Sequence, residues 1–432
     1  MQTVIEHVRL IGRVPDGQDR ADSVLVIEDD TIVYAGAMAS APSYQADAHI
    51  IDGQGRIAMP GFVNAHAHSP MVLFRSAADD LPLHTWLNER IWPLESHLNE
   101  ERVYWGSLLA MAEMIRTGTV AFNDMYFFSE QIFQATEESG LKALLTRCVT
   151  CDSIVPAEME NSLAQARAFC ERFEGGAGGR VHTTIAPHAE YTCSAPFLQK
   201  CGALAQELGV PMHIHISETQ NEHEECKQRH QGLTPLGLLE EQGCLQGKVL
   251  AAHCVYVEPS DIDLMVKHSI VPLHCPVSNL KLGSGIAPVA HMLERGIPVA
   301  IGTDGAASNN NLNMIEEMRF ATFLQKGIER KADVLPAQQA LAMATQYGAQ
   351  ALGTGGGVLQ PGYRADLILL DVDQPHMVPM HNASSQVVYS AQGSDVYLTM
   401  VDGRILYQAG EYKTLDIERI RKEAQRAAEE LV

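Results

Sequence analysis

The sequence predicts an α/β fold: a (β/α)8 TIM barrel joined to a small β-sandwich built from the two ends of the chain. Three observations predict it. Between roughly residues 58 and 360, eight short apolar runs alternate with amphipathic helical stretches. Near both ends, short runs alternate apolar and polar residues, with turn signals between them. At 432 residues the chain is long for one compact domain. The expected division is a barrel over residues 58–360 and a composite β-sandwich from residues 1–57 and 361–432.

The elements follow in order. VLVIEDDTIVYAG reads as a hairpin around a tight Asp-Asp-Thr turn. Strand one is Gly61–His66. The segment Ser69 to Asn99 after it exceeds the usual loop length and suits a lid or pocket wall. A helix near Glu101–Arg116 precedes strand two, Val120–Asp124, and a helix near Ser129–Ser139 precedes strand three, Ala143–Cys148. A helix near Met159–Phe173 leads to strand four, Val181–Ala186, and a helix at Ala195–Leu208 to strand five, Pro211–Ile216. Strands six, seven and eight are Val249–Ala252, Ile270–His274 and Val299–Thr303. ADLILLDVD, DVYLTMVDG and RILYQAGEY are again short alternating strands, and Asp416 to Val432 is a charged amphipathic helix.

Composition narrows the function. A formal charge of −22 disfavours polyanionic partners, and no basic face suited to nucleic acid is present. The start, MQTVIEHVRL, lacks a signal-peptide pattern, and no run of eighteen apolar residues predicts a membrane span. Nine cysteines are scattered; Cys148 and Cys151 form a CxxC inside the apolar run LLTRCVTC and read as buried free thiols. Reduced cysteines and no leader point to the cytoplasm.

The chemistry concentrates at strand ends. His66 and His68 flank Ala67, and side chains at i and i+2 of an extended strand point the same way. His188 follows strand four, His213 and His215 lie in MHIHISET, His253 ends LAAHC, and Asp304 lies in VAIGTDG. All fall at C-terminal ends of barrel strands, where barrel enzymes do their chemistry. Three or four N/O ligands with an open position suit a catalytic divalent metal.

The chain resembles the amidohydrolase superfamily, in its branch of deaminases acting on 5′-methylthioadenosine and S-adenosylhomocysteine. The segments that carry the resemblance are PGFVNAHAHSPMVLFR, WLNERIWPLE, LLTRC, IAPHAEYTCS, HIHISET, AAHCVYV, CPVSNLKLGSGIAPV, GTDGAASNNNLNM and GVLQPGYRADLILLD. The resemblance implies His66, His68, His215 and Asp304 as ligands of one divalent metal, Zn2+ by expectation. VHTTIAPH offers no lysine that could bridge a second ion. It implies Glu218 as proton shuttle and His253 as the residue that orients the attacking water, with Asp304 also holding that water in line. It implies Glu95 on the ribose hydroxyls, His188 and Ser308 on the purine, and Arg147 on the 5′ substituent.

The activity so implied is hydrolytic deamination of adenosine-type nucleosides at purine C6 by a metal-activated water. A guanine, cytosine or triazine aminohydrolase of the same branch is the alternative. The expected partner is a small nucleoside, not nucleic acid or membrane; the oligomeric state stays open, a homo-oligomer included. His213 is expected in a supporting or packing role, His274 as a supporting or core residue, and Asn309 to Asn311 as a loop or helix cap. No Lys or Arg lies between Asp152 and Asn161, so a carboxylate on the substrate tail would meet Arg147 alone.

Overall fold

The computed structural model describes residues 1–12 and 19–431; residues 13–18 and residue 432, the last position of the helix expected from Asp416 to Val432, lie outside the described residues. The N-terminal segment supplies β1 (Gln2–Leu10), β2 (Arg20–Glu28), β3 (Thr31–Ala37), β4 (His49–Asp52) and β5 (Ile57–Pro60). The middle supplies β6 (Phe62–Ala67), β7 (Thr119–Tyr126), β8 (Lys142–Val149), β9 (Val181–Thr183), β10 (Ala186–Pro187), β11 (Met212–Ile216), β12 (Val249–His253), β13 (Val271–His274) and β14 (Ala300–Ile301). The C-terminal part adds β15 (Leu367–Leu370), β16 (Val396–Val401), β17 (Arg404–Gln408) and β18 (Glu411–Tyr412).

The two ends meet in one nine-stranded sheet of order β18-β17-β16-β15-β5-β1-β2-β3, with β4 also paired to β1. The antiparallel pairing of β15 on β5 stitches the C-terminal strands to the N-terminal ones. The expected hairpin is β2–β3, and Asp29 in its turn takes φ +51°, a left-handed geometry that Asp tolerates. Leu10, Leu25 and Ile27 from the first strands share one apolar cluster with Leu367, Leu369 and Leu398 from the last. Burying that common face is what holds the ends together.

The middle strands are parallel, in two runs: β6-β7-β8-β10 with β9 also on β8, and β11-β12-β13-β14. Isolated parallel bridges connect the runs at both edges, through Ile185–Met212 and Ala189–His215 on one side and Ala67–Asp304 on the other. Strand four is interrupted between β9 and β10, yet the Thr184 N–H still donates to Leu145 O at 3.0 Å, so pairing along β8 continues. Gly302 permits the close approach of the β14 end to β6, because a Cβ there would sit 2.6 Å from the His66 backbone nitrogen.

The segment Ser69 to Asn99 is helical for much of its length, with a turn at Ser69–Phe74 and a continuous run Leu83–Glu95 that widens to a π-turn over Trp86–Ile91. Leu83, Trp86, Leu87 and Ile91 recur at helical spacing, which explains the helix; all four face one cavity. Among the described residues no helix is long and apolar enough to cross a membrane.

Candidate active site

The strand ends on one side of the parallel strands open into a cavity of about 470 Å3. His68, His188, His215, Glu218, His253 and Asp304 line its floor, and Trp86, Ile91, Trp92 and Phe127 its walls. Strand alternation puts His66 beside His68, and His213 beside His215, on the inward faces of β6 and β11.

Each of four imidazoles has its Nδ1 held and its Nε2 left over. His66 Nδ1 lies 3.0 Å from His213 Nε2. The His68 Nδ1–H donates to Met125 O at 2.5 Å, that of His215 to His188 O at 2.7 Å, and that of His253 to the Asn279 side-chain oxygen at 2.8 Å. These partners fix the tautomers and leave the Nε2 lone pairs free. Asp304 Oδ1 sits 3.1 Å from His68 Nε2 and 3.5 Å from His66 Nε2. The His66 Nε2 atom is buried without a hydrogen-bond partner. Metal bonds of about 2.1 Å at tetrahedral angles separate donor atoms by about 3.4 Å, so this donor set fits a cation such as zinc.

The electrostatics agree for His66 and His215, while His68 is paired with Asp304. Burial pulls His66 down to about 3 and His188 down to about 4, and burial together with neighbouring imidazoles holds His215 well below its ordinary value. Neutral imidazoles are the form that binds metals. For His68 burial acts the same way, but Asp304 overrides it and raises the ring to about 9. Burial also opposes ionisation of Asp304; the His66 and His68 rings overcome it and hold the carboxyl well below the usual range.

The backbone here is strained. His253 and Asp304 take φ +70° and +62°, and Ser217, next to Glu218, takes +48°. Left-handed geometry at such residues costs of order 1–2 kcal/mol each and tends to persist at functional positions. Glu222 holds the Ser217–Glu218 turn, accepting the Ser217 and Glu218 N–H groups at 2.8 and 2.7 Å. Glu218 then lies buried with Oε2 3.7 Å from His253 Nε2, and burial raises its pKa.

Glu95 lines the same cavity and accepts the Tyr126 hydroxyl at 2.6 Å. Two expected substrate contacts are placed otherwise. Arg147 does not line the cavity; its guanidinium donates to Gln165 Oε1 at 2.7 Å on the helix Pro156–Phe173. The reason is alternation: Cys148, the next residue on β8, faces the cavity, so Arg147 faces the helix layer. Ser308 is not part of the cavity wall either. It lies one helical turn beyond Asp304, and its hydroxyl folds back to donate to Asp304 Oδ2 at 2.9 Å.

Several supporting residues had no sequence reading of their own. Ser278 donates to Asp304, Asn279 orients His253, and Asp124 accepts the Ser69 N–H behind His68. CPVSN and the end of strand two carried the only signal for them. His213 is the partner of His66, as a supporting role requires. His274 is buried in β13, and Asn309 braces the strand end by donating to Thr303 O at 2.7 Å.

Parallel strands ending in a His/Asp cluster that fits one or more cations, with a buried carboxylate beside it, define a metal-dependent hydrolase class of site. Residues 57–406 match the amidohydrolase family, and the chain belongs to that family. It is 47% identical over 396 residues, 91% of this chain and 92% of the relative, to a 5-methylthioadenosine/S-adenosylhomocysteine deaminase of Dictyoglomus thermophilum. It is 44% identical over 429 residues, 99% of this chain and 98% of the relative, to a 5′-deoxyadenosine deaminase of Methanosarcina mazei. A solved adenosine deaminase from Xanthomonas campestris with bound zinc superposes with a TM-score of 0.94 at 31% identity, covering 99% of this chain and 98% of that one.

Proposed function

We propose that the chain deaminates adenosine-type nucleosides hydrolytically, giving the inosine analogue and ammonia, with 5′-methylthioadenosine, S-adenosylhomocysteine, 5′-deoxyadenosine and adenosine as the substrate class. One observation carries the reading: a single cavity holds the His/Asp donor cluster at its floor and Glu95 in its wall. The deaminase relatives support it at 44–47% identity. We further propose that the parallel strands close into a (β/α)8 barrel over residues 58–360, with the nine-stranded sheet folded as a sandwich from residues 1–57 and 361–432. The bridges at both edges of the parallel runs support the first, and the shared apolar face the second.

His66, His68, His215 and Asp304 would hold one divalent ion, Zn2+ in this reading. Bound there, it would supply Lewis-acid activation of a water at neutral pH. The rest falls to the chain. Glu218 takes the proton of the attacking water and delivers it to purine N1. Glu218 then takes the proton of the hydroxyl added at C6 and passes it to the amino group, so that the C–N bond breaks, ammonia departs and C6 becomes a carbonyl. His253, fixed by Asn279, faces the attacked carbon and hydrogen-bonds the oxygen added there. His188 meets the purine ring. Glu95, held by Tyr126, accepts the ribose hydroxyls.

The 5′ end is read by shape. No Lys or Arg lines the cavity among the described residues, and Asp152 does line it. A neutral 5′ group therefore suits the site better than one ending in a carboxylate. Nine buried free thiols support a reducing compartment, the cytoplasm. The test is ammonia release from a panel of adenosine analogues by the zinc-loaded protein. Faster turnover of free adenine or guanine than of any nucleoside overturns the reading.

A further inference from the structure

A second cavity, of about 460 Å3, lies at the opposite end of the parallel strands. Lys142, at its wall, is six residues before the active-site residue Cys148 on β8, about 20 Å away along the strand. The two cavities share no lining residue.

Its charge runs against the composition. The chain carries 53 acidic and 31 basic residues, yet Lys142, Arg180, Arg364 and Arg404 line this cavity against only Asp30 and Asp402. Two of these cations are already neutralised. Lys142 Nζ lies 2.6 Å from Asp366 and 2.7 Å from Asp402, and Arg364 pairs with Asp30. Two remain. Arg180 donates from one nitrogen to Glu137 O at 3.2 Å, while its Nε is buried without a partner. Arg404 is exposed, and among the described residues its side chain makes no hydrogen bond or ion pair.

The two guanidiniums feel each other. Burial lowers the Arg180 pKa; Asp402 and Glu137 oppose this, and Arg404 adds to it. An unpartnered buried donor beside a like charge costs free energy that a bound anion would recover. The rim is also bare. Gly179 and Gly353 take φ +87° and +73°, and a Cβ on either would meet nothing within 4 Å. A ligand can therefore approach the backbone at both glycines.

We propose that this cavity binds a phosphate-bearing small molecule, held by Arg180 and Arg404. The planar guanidinium fork matches phosphate oxygens, and the cavity has room for more than one phosphate. The site is independent of the deamination reading, because no residue in it touches the catalytic cavity.

Calorimetric titration of the intact zinc-loaded protein at low salt tests this with three probes: inorganic phosphate, pyrophosphate and adenosine 5′-phosphate. Saturable binding is expected, weakening as salt screens the charges. Arg404→Gln, a surface change that leaves the fold intact, should weaken it by about tenfold or more, as should Arg180→Gln, since hydrogen bonds to charged groups contribute about 1.5–3 kcal/mol each. Deamination without the anion should match wild type in both variants. Tighter binding of the nucleotide, still dependent on Arg404, assigns a nucleoside phosphate; equal binding of pyrophosphate assigns the bare phosphate group. Absence of saturable binding by all three probes, or binding unchanged in Arg404→Gln, overturns the proposal.

Discussion

Replacing His213 with Phe tests whether the site is held from behind its ligands. His213 Nε2 and His66 Nδ1 lie 3.0 Å apart, and both side chains are 0% exposed. For His66 Nε2 to offer a lone pair, its Nδ1 must carry the proton and donate it to His213. Phe keeps a flat ring, somewhat larger than imidazole, but accepts nothing, so the Nδ1–H is left unpaired in a dry interior. Such a donor costs about 1–3 kcal/mol. At about 1.4 kcal/mol per decade, zinc affinity should fall roughly 5- to 150-fold, in line with the roughly 10–100-fold typical of such partners. Competition against a chromophoric chelator measures it. His213→Gln, which restores an acceptor, should recover part of the loss. A native-like Phe variant that binds zinc as tightly as wild type would refute the argument and leave His213 a packing residue.

Four further outcomes are expected. Glu218→Gln should keep its metal by elemental analysis yet lose about 10²–10⁴-fold in kcat, because general acid–base work needs the carboxylate; near-normal kcat would place the shuttle elsewhere. Glu95→Ala should lower kcat/KM for methylthioadenosine by roughly 5- to 150-fold, from about 1–3 kcal/mol per lost partner, and should erase the preference over the 2′- and 3′-deoxy analogues. Because Arg147 faces Gln165, Arg147→Ala should leave kcat/KM for methylthioadenosine and S-adenosylhomocysteine within about twofold, the usual reach of a surface change; a selective loss on the homocysteine substrate would return Arg147 to the pocket. Asp152→Asn should improve relative use of that substrate by removing a like charge from the cavity wall, read as the ratio of the two kcat/KM values.

What the sequence made legible followed local pattern. The apolar run predicts strand seven at Ile270–His274 and the strand lies at Val271–His274, and the helix Ser129–Ser139 agrees to the residue, because apolar runs and helical spacing are local signals. The ligand candidates stood out because they cluster at strand ends. Side-chain direction was less legible. Adjacent positions on β8 face opposite sides, and nothing in LLTRC alone says whether Arg147 or Cys148 points inward; only the folded chain decides it, with Cys148 in the cavity and Arg147 on Gln165 of the helix layer. The segment after strand one read as a loop because its length outweighed the spacing of Leu83, Trp86, Leu87 and Ile91. The phosphate cavity had no sequence signal, since Lys142, Arg180, Arg364 and Arg404 come together only in the folded chain.

Backbone strain completes the argument for where the chemistry sits. His253, Asp304 and Ser217 occupy positive φ without being glycine, so no residue type advertised them. The fold tolerates each because neighbours over-determine it: Asn279 holds His253, Ser278 and Ser308 hold Asp304, and Glu222 holds the Ser217–Glu218 turn. Left-handed geometry turns each strand end sharply, so that His253, Asp304 and Glu218 aim at one point instead of running on toward the helix layer. Gly302, two residues before Asp304, is what lets that strand end lie against His66 at all. Donor convergence therefore depends on backbone shape as much as on the histidines themselves.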